Sequence, residues 1–346
     1  MALVLLEGFD HYSTASQAGL KGAGYDTSPT PLTSSGRFGG GCIQMSSSTD
    51  FLYFQGTDTP IIWMGFAFYI EEINVPTITS TYFTWGIFSD TAIHVAFYIN
   101  PSFGISVYRS STLLGSTDPG IISQQTWHYI ECYAKIDNSV GEVILKVDGG
   151  EELNLTNQDT FHAGVNTNIA SVAFSAIYSS IECWYDDLYI DDAGFLGDIK
   201  VVTKLPDSDG THTDFTPQGA GSHYVEVDDT SPDDDTTYVE GKDKGDQESF
   251  GIPTTGLDGE IVGVQLTQYA KKTDVATCGI KNLVRVGGTD YLASTERFLS
   301  TGYNFFTDIW ENNPDTSNPW KKSDIDNAEF GVEITSLSTT TTTTTV

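Results

Sequence analysis

Basic residues are scarce in this chain. Sixteen Lys and Arg face 47 Asp and Glu in 346 residues, a formal net charge of −31 at pH 7. Such a field repels nucleic acid and anionic bilayers over the Debye length, so neither direct nucleic-acid binding nor membrane insertion is expected. The acidity is read as a device for keeping the chain soluble, and a specific cation-binding role is compatible with that. Long apolar runs are also missing: no window reaches the roughly 18 residues of a membrane helix. The opening Met1-Ala-Leu-Val-Leu-Leu-Glu7 has no basic flank and too short an apolar run for a signal peptide, so it reads as a strand. Synthesis in a cytoplasm is expected, with release by a route such as lysis. The four cysteines, Cys42, Cys132, Cys183 and Cys278, never form the close pairs of a zinc site and lie in apolar contexts, as buried free thiols do. The six histidines, His11, His94, His128, His162, His212 and His223, are scattered, no Gly-x-Ser-x-Gly elbow occurs, and no Cys has a nucleophile's context, so nucleophilic catalysis is not expected. Gly39-Gly-Gly41 and Gly287-Gly288 lack the setting of a phosphate loop and read as turns.

What remains is rich in Gly, at 34, with 17 Tyr and 19 Phe, and shows no long helix-period segment, which points to short strands joined by tight turns. The length suits two domains rather than one sandwich. In the first, strand candidates are Val4–Glu7, Cys42–Met45, Ile62–Ile70, Tyr82–Phe88, His94–Asn100, Gly104–Tyr108, Trp127–Ile136, Gly141–Val147, Ala170–Ala176 and Glu182–Ile190. The last is the most informative, because an aromatic alternating run ends in carboxylates and a Gly-rich exit. Strict alternation puts Cys183, Tyr185, Asp187, Tyr189 and Asp191 on one face and Trp184, Asp186, Leu188 and Ile190 on the other.

Trp127-His-Tyr-Ile-Glu-Cys-Tyr-Ala-Lys-Ile-Asp137 and Gly141-Glu-Val-Ile-Leu-Lys-Val-Asp-Gly-Gly150 form a predicted hairpin whose second strand ends at the Asp148-Gly149 turn. Together with Tyr185-Asp-Asp-Leu-Tyr-Ile-Asp191, this order resembles the laminin-G-like and pentraxin-like branch of the concanavalin-A fold. The resemblance implies a jelly-roll sandwich over 1–198.

Residues 206 to 248 hold thirteen acidic residues against Lys242 and Lys244, and 199–258 is expected to be an ordered, loop-rich segment leading into a second domain. Strand character returns in Ile261–Ala270, Cys278–Val286, Tyr303–Trp310 and Phe330–Ile334, predicting a second, smaller β-sandwich over 259–336, followed by a Thr-rich tail over 337–346. Near the end, Ser323 is expected to cap a short helix, with Asp326 completing a shortened capping box. The start Leu5-Leu-Glu-Gly-Phe-Asp10, the stretch Ser231-Pro-Asp-Asp-Asp-Thr-Thr-Tyr-Val239, and the ending from Asn313-Pro through Pro319-Trp-Lys-Lys to Glu329-Phe-Gly-Val332 resemble tailed-bacteriophage virion structural proteins.

Some concanavalin-A-like sandwiches are glycoside hydrolases with paired carboxylates on one strand. Here Tyr189 takes the middle position between Asp187 and Asp191, which would stand roughly 13 Å apart at 3.3 Å per residue. That exceeds the separation hydrolysis needs. The lectin-like members often bind calcium through rim carboxylates, which nominates Asp186, Asp187, Asp191 and Asp192, with Asp228, Asp229, Asp233, Asp234 and Asp235 as a further acidic group. No cofactor is expected otherwise. Trp63, Trp85, Trp127, Trp184, Trp310 and Trp320 are the stock for sugar stacking: Trp127 and Trp184 are expected to bury a ring face against the opposite sheet, and Trp320 to lie at the surface or at an interface. The reading is a non-enzymatic phage virion structural protein, a tail, fibre or capsid-surface component, that assembles as a symmetric homo-oligomer with other virion proteins and presents its sandwich to host glycan. The alternatives are a stand-alone calcium-dependent lectin and, third, a glycoside hydrolase.

Overall fold

The computed structural model describes residues 3–12, 30–32, 34–46, 51–71, 82–89, 91–176, 182–219 and 221–338. The chain divides into two compact units, Met1–Val202 and Thr203–Val346. Both are built almost wholly from antiparallel strands. Among the described residues no helix is long and apolar enough to cross a membrane.

The first unit is a concanavalin-A-like sandwich of two sheets. Its strands are β1 (Leu3–Glu7), β2 (Thr30–Leu32), β3 (Cys42–Met45), β4 (Phe51–Gln55), β5 (Ile61–Ile70), β6 (Tyr82–Phe88), β7 (Ile93–Ile99), β8 (Ile105–Arg109), β9 (Thr112–Ser116), β10 (His128–Lys135), β11 (Gly141–Val147), β12 (Gly150–Gln158), β13 (Ser171–Ser175) and β14 (Cys183–Asp191). One sheet runs β12-β11-β10-β5-β14-β3-β2, with β1 also on β14; the other runs β4-β13-β6-β7-β8-β9. The predicted hairpin is present, pairing Ile130 with Val147, and Asp148 and Gly149 make its neighbouring two-residue turn with φ of 50° and 84°. Alternation sends Ile62, Met64, Phe66 and Phe68 of β5 inward to meet Trp85, Phe97 and Phe174. Trp85 stacks on Phe97 at 4.7 Å and meets Phe66 edge-on at 5.2 Å. All four cysteines are buried thiols.

One β-bulge corrects the expected facing of β14. Asp186 pairs with Ala67 and Tyr189 with Gly65, so β14 spends one residue more than β5 between them. Asp187 takes up the extra residue at φ 49°. Beyond it, Tyr189 crosses to the outward face that Trp184 already occupies, and lies over Gly65.

The second unit comprises β15 (Ser208–Thr213), β16 (Thr216–Pro217), β17 (Val239–Glu240), β18 (Gln247–Gly251), β19 (Val264–Ala270), β20 (Cys278–Val286), β21 (Thr289–Leu292), β22 (Arg297–Phe298), β23 (Asn304–Trp310) and β24 (Glu329–Leu337), with a one-turn helix α1 (Lys322–Ile325). Its main sheet runs β15-β18-β24-β20-β21 with β22 on β20, and the β19–β23 ribbon packs across one face. Val284, Phe330, Trp320 and Ile325 form one core cluster under Val264, Leu266 and Trp310; Ile280, Val332 and Ile334 form another under Ala270 and Phe306. The acidic stretch is pinned to this scaffold: Tyr269 and Tyr303 donate to Asp234, Tyr303 also to Asp235, and Lys271 pairs with Asp235.

Two expectations fail here. Trp320 is buried, not superficial, because the Asn312–Pro319 bridge folds the segment back and the indole N–H donates to the Trp310 carbonyl at 2.8 Å. The residue preceding α1 is Lys321, not Ser323, and its N–H is accepted by the Asp324 carboxylate at 3.1 Å, so Asp324 takes the capping-box role expected of Asp326, which instead accepts from the Thr254 hydroxyl.

Candidate functional site

The bulge of β14 concentrates carboxylates on the outward face of the first sandwich. Asp186 and Asp187 are 5% and 2% exposed. Asp186 accepts from the Arg37 main-chain N–H and from the Asp187 N–H, each at 2.8 Å, and Asp187 Oδ1 accepts from the Val201 N–H at 2.7 Å. Asp187 Oδ2 is buried with no hydrogen bond. The Arg37 guanidinium lies 3.9 Å from that oxygen and turns instead to Asp198, at 2.5 and 2.6 Å. Burial, and then the charge of Asp187, pushes the Asp186 carboxyl up to about 8; burial pushes Asp187 up to about 6 against the Val201 N–H and the Arg37 charge.

Asp10 closes the rim. The buried Glu7 accepts from the Phe9 N–H at 2.8 Å and the Tyr12 hydroxyl at 2.7 Å, which fixes the turn after β1, with Phe9 at φ 55°. Asp10 Oδ1 then accepts from the Gly41 N–H at 2.6 Å. A Cβ at Gly41 would stand 2.4 Å from the Phe9 carbonyl oxygen, so close approach demands glycine there, while Gly39 takes φ 91°. Asp10, Phe38, Gly39, Gly40, Asp186, Asp187 and Lys200 line a cleft of about 140 Å³.

Carboxylate oxygens with one buried lone-pair set unspent suit a hard cation such as calcium. Among the described residues, however, no three His, Cys, Asp or Glu side chains converge on one point, so main-chain carbonyls and water would have to complete the shell. The four nominated residues are not one cluster. Asp191 spends Oδ1 on the N–H groups of Ala193 and Gly194, at 2.6 and 3.0 Å, and Asp192 lies at that strand exit. Sequence reasoning missed Asp10, Arg37 and Asp198; the visible signal was an arginine placed inside a glycine-rich turn.

A second outward feature lies farther along the same sheet. Trp127, immediately before β10, lines up with Tyr69 of β5 and Trp184 of β14, with ring centroids 5.4 and 4.4 Å apart, and all are half-buried. They stand on the outer face, not against the opposite sheet as expected, because Cys183 and Tyr185 take the inward positions of β14. Gln44 and Glu182 continue the row, joined by a 2.6 Å hydrogen bond.

The fold therefore defines a concanavalin-A-like sandwich with an acidic rim cleft and an aromatic outer face, followed by a smaller sandwich. No family model matches the chain, and no curated protein matches it. Solved structures similar to it include the cellulose-induced protein Cip1, at 14% identity and TM-score 0.38 over 51% of this chain and 89% of that one. Others are the catalytic domain of a glycoside hydrolase family 131 protein from Coprinopsis cinerea, at 14% and 0.36 over 58% and 98%, and the carbohydrate esterase vb_24B_21 of the Shiga toxin-encoding bacteriophage phi24B, at 12% and 0.35 over 55% and 100%. The expectation that the chain is not an enzyme is corrected by this set, since a glycoside hydrolase and an esterase stand within it.

Proposed function

We propose that this chain is a surface component of a tailed-phage virion whose first sandwich contacts host glycan through the Trp127–Tyr69–Trp184 row. The observation behind the glycan assignment is the placement of three aromatic rings on the outer face, beside an amide and a carboxylate, where apolar sugar faces can meet rings and hydroxyls can meet Gln44 and Glu182. The virion assignment rests on the sequence resemblance at both ends of the chain. Assembly is as a homo-oligomer alongside other virion proteins, and calcium is held at Asp187, with Asp186 and Asp10 beside it.

Trp184→Ala is expected to weaken binding to host-surface polysaccharide about tenfold, roughly the loss of one stacking contact. Titration of polysaccharide by calorimetry checks it; equal affinity for Trp184→Ala and the unaltered chain would remove the aromatic row from the reading. The stand-alone calcium lectin is favoured by the unspent Asp187 oxygen alone. Light scattering behind size exclusion, with calcium and then chelator, separates the two: a trimer or larger ring in both conditions supports the virion component, and a monomer supports the lectin.

A further inference from the structure

The loop before β10 brings three side chains into a relay that neither the cleft nor the aromatic row uses. Ser123 Oγ lies 2.7 Å from His128 Nε2, and His128 Nδ1 lies 2.7 Å from Asp148 Oδ2. The Ser123 main-chain N–H also reaches Nε2, at 2.9 Å. An amide N–H can only donate, so Nε2 is the bare nitrogen and Nδ1 carries its proton toward Asp148. This is the tautomer a general base requires when it faces a hydroxyl. The outer member is itself fixed: Asp148 Oδ1 accepts from the Tyr129 N–H at 2.8 Å, and the Asp148 N–H donates to the Tyr129 carbonyl at 2.8 Å. Ser123 is exposed, the histidine is 8% exposed, and the Asp148 side chain is about half exposed. An accessible hydroxyl, a sheltered base and an oriented carboxylate follow one another in that order.

We propose that Ser123, His128 and Asp148 form a nucleophilic relay that cleaves carboxylic esters. Ser123 Oγ attacks the ester carbonyl carbon while its proton passes to His128 Nε2. The carbon–oxygen bond to the alcohol then breaks, and the alcohol departs with that proton. Water, deprotonated by the same nitrogen, attacks the acyl-serine, releasing the acid and restoring the hydroxyl. Protonation of Nε2 ends its acceptance from the Ser123 N–H, which is thereby freed to donate to the oxyanion forming on the neighbouring carbon. Ser123 is exposed and lies outside the lining of the cleft at Asp186 and Asp187. An open site of this kind suits a small acyl group, acetyl in size, carried on a large and solvent-exposed alcohol.

The test treats the full-length chain with a fluorophosphonate and with p-nitrophenyl acetate. The expected result is a stoichiometric phosphonyl adduct mapped to Ser123 by tandem mass spectrometry, with turnover reduced at least 100-fold in Ser123→Ala at an unchanged melting temperature. Asp148→Asn is expected to lower kcat and shift its pH profile while retaining the adduct. A relay that merely locks the turn would give a folded protein with no adduct at Ser123 and with turnover equal in the unaltered chain and Ser123→Ala, and that result overturns the proposal. Because Ser123→Ala removes only an exposed hydroxyl, loss of the fold does not confuse the outcome.

Discussion

The chelated protein is expected to melt about 5–10 °C higher at pH 5 than at pH 8, and millimolar calcium to recover most of that difference at pH 8 while adding little at pH 5. The sign follows from Asp186 and Asp187, held in the folded state at about 8 and about 6 against an ordinary 3.8. A carboxyl whose folded value is raised contributes stability that is complete below its unfolded value and is lost as pH climbs through the folded one. The loss therefore falls between about pH 4 and 8. Its size is on the order of a few kcal/mol, and for a domain near 200 residues each kcal/mol moves the midpoint by about 2–4 °C. Self-repulsion of a chain with net charge −31 acts in the same direction. One group opposes it: burial lowers His94, so its contribution grows as pH rises. Differential scanning calorimetry of Asp186→Asn/Asp187→Asn isolates the carboxylates, and that variant should show a much flatter pH dependence and no calcium response. Equal melting at pH 5 and pH 8 in the unaltered chain would show that the buried pair does not govern stability.

The legible parts of this chain were those governed by local periodicity. Gly141–Val147 alternates cleanly, and both it and Tyr82–Phe88 stand where they were expected. The edge strands β9 and β12 were invisible, because Thr112–Ser116 and Gly150–Gln158 carry too little apolar contrast to announce a face. In the second unit, β15 and β18 lay hidden inside acidic sequence: Glu248 is fully buried yet bonded to His223 at 2.9 Å and to the Phe215 N–H at 3.1 Å, a pairing across distant residues that no composition argument sees. For the site, the residue types of Asp186 and Asp187 were readable but their surroundings were not. A bulge leaves no mark in a two-residue period, and it decides which carboxylates share a face. The distant members, Asp10 and Arg37, reach Asp186 through turns 149 or more residues away in sequence. The relay of Ser123, His128 and Asp148 has no sequence motif at all, because its geometry comes from one loop and the turn beyond a neighbouring hairpin.

Gly65→Ala is expected to lower the midpoint of the first sandwich by about 2–12 °C and to abolish its response to calcium. Gly65 sits in the middle of β5, and a Cβ there would lie 2.3 Å from Tyr189 Cε1 and 3.0 Å from the Tyr129 ring. Neither ring is free to give way. The Tyr189 hydroxyl donates to Glu131 at 2.7 Å and accepts from the Leu196 N–H at 3.2 Å, while the Tyr129 hydroxyl donates to the Asp187 carbonyl at 3.1 Å. Glu131 also accepts from the Gly197 N–H at 2.9 Å. These bonds hold the 192–201 segment against the sheet, and that segment supplies both the Val201 N–H bound by Asp187 and the Asp198 that holds Arg37. Displacing the rings therefore costs overpacking strain of about 1–3 kcal/mol and also loosens the wall of the cleft. Thermal unfolding with and without calcium measures both effects. A variant that melts lower but keeps the full calcium shift would separate the tyrosine layer from the cleft and show that Asp186 and Asp187 are positioned by the β14 bulge alone.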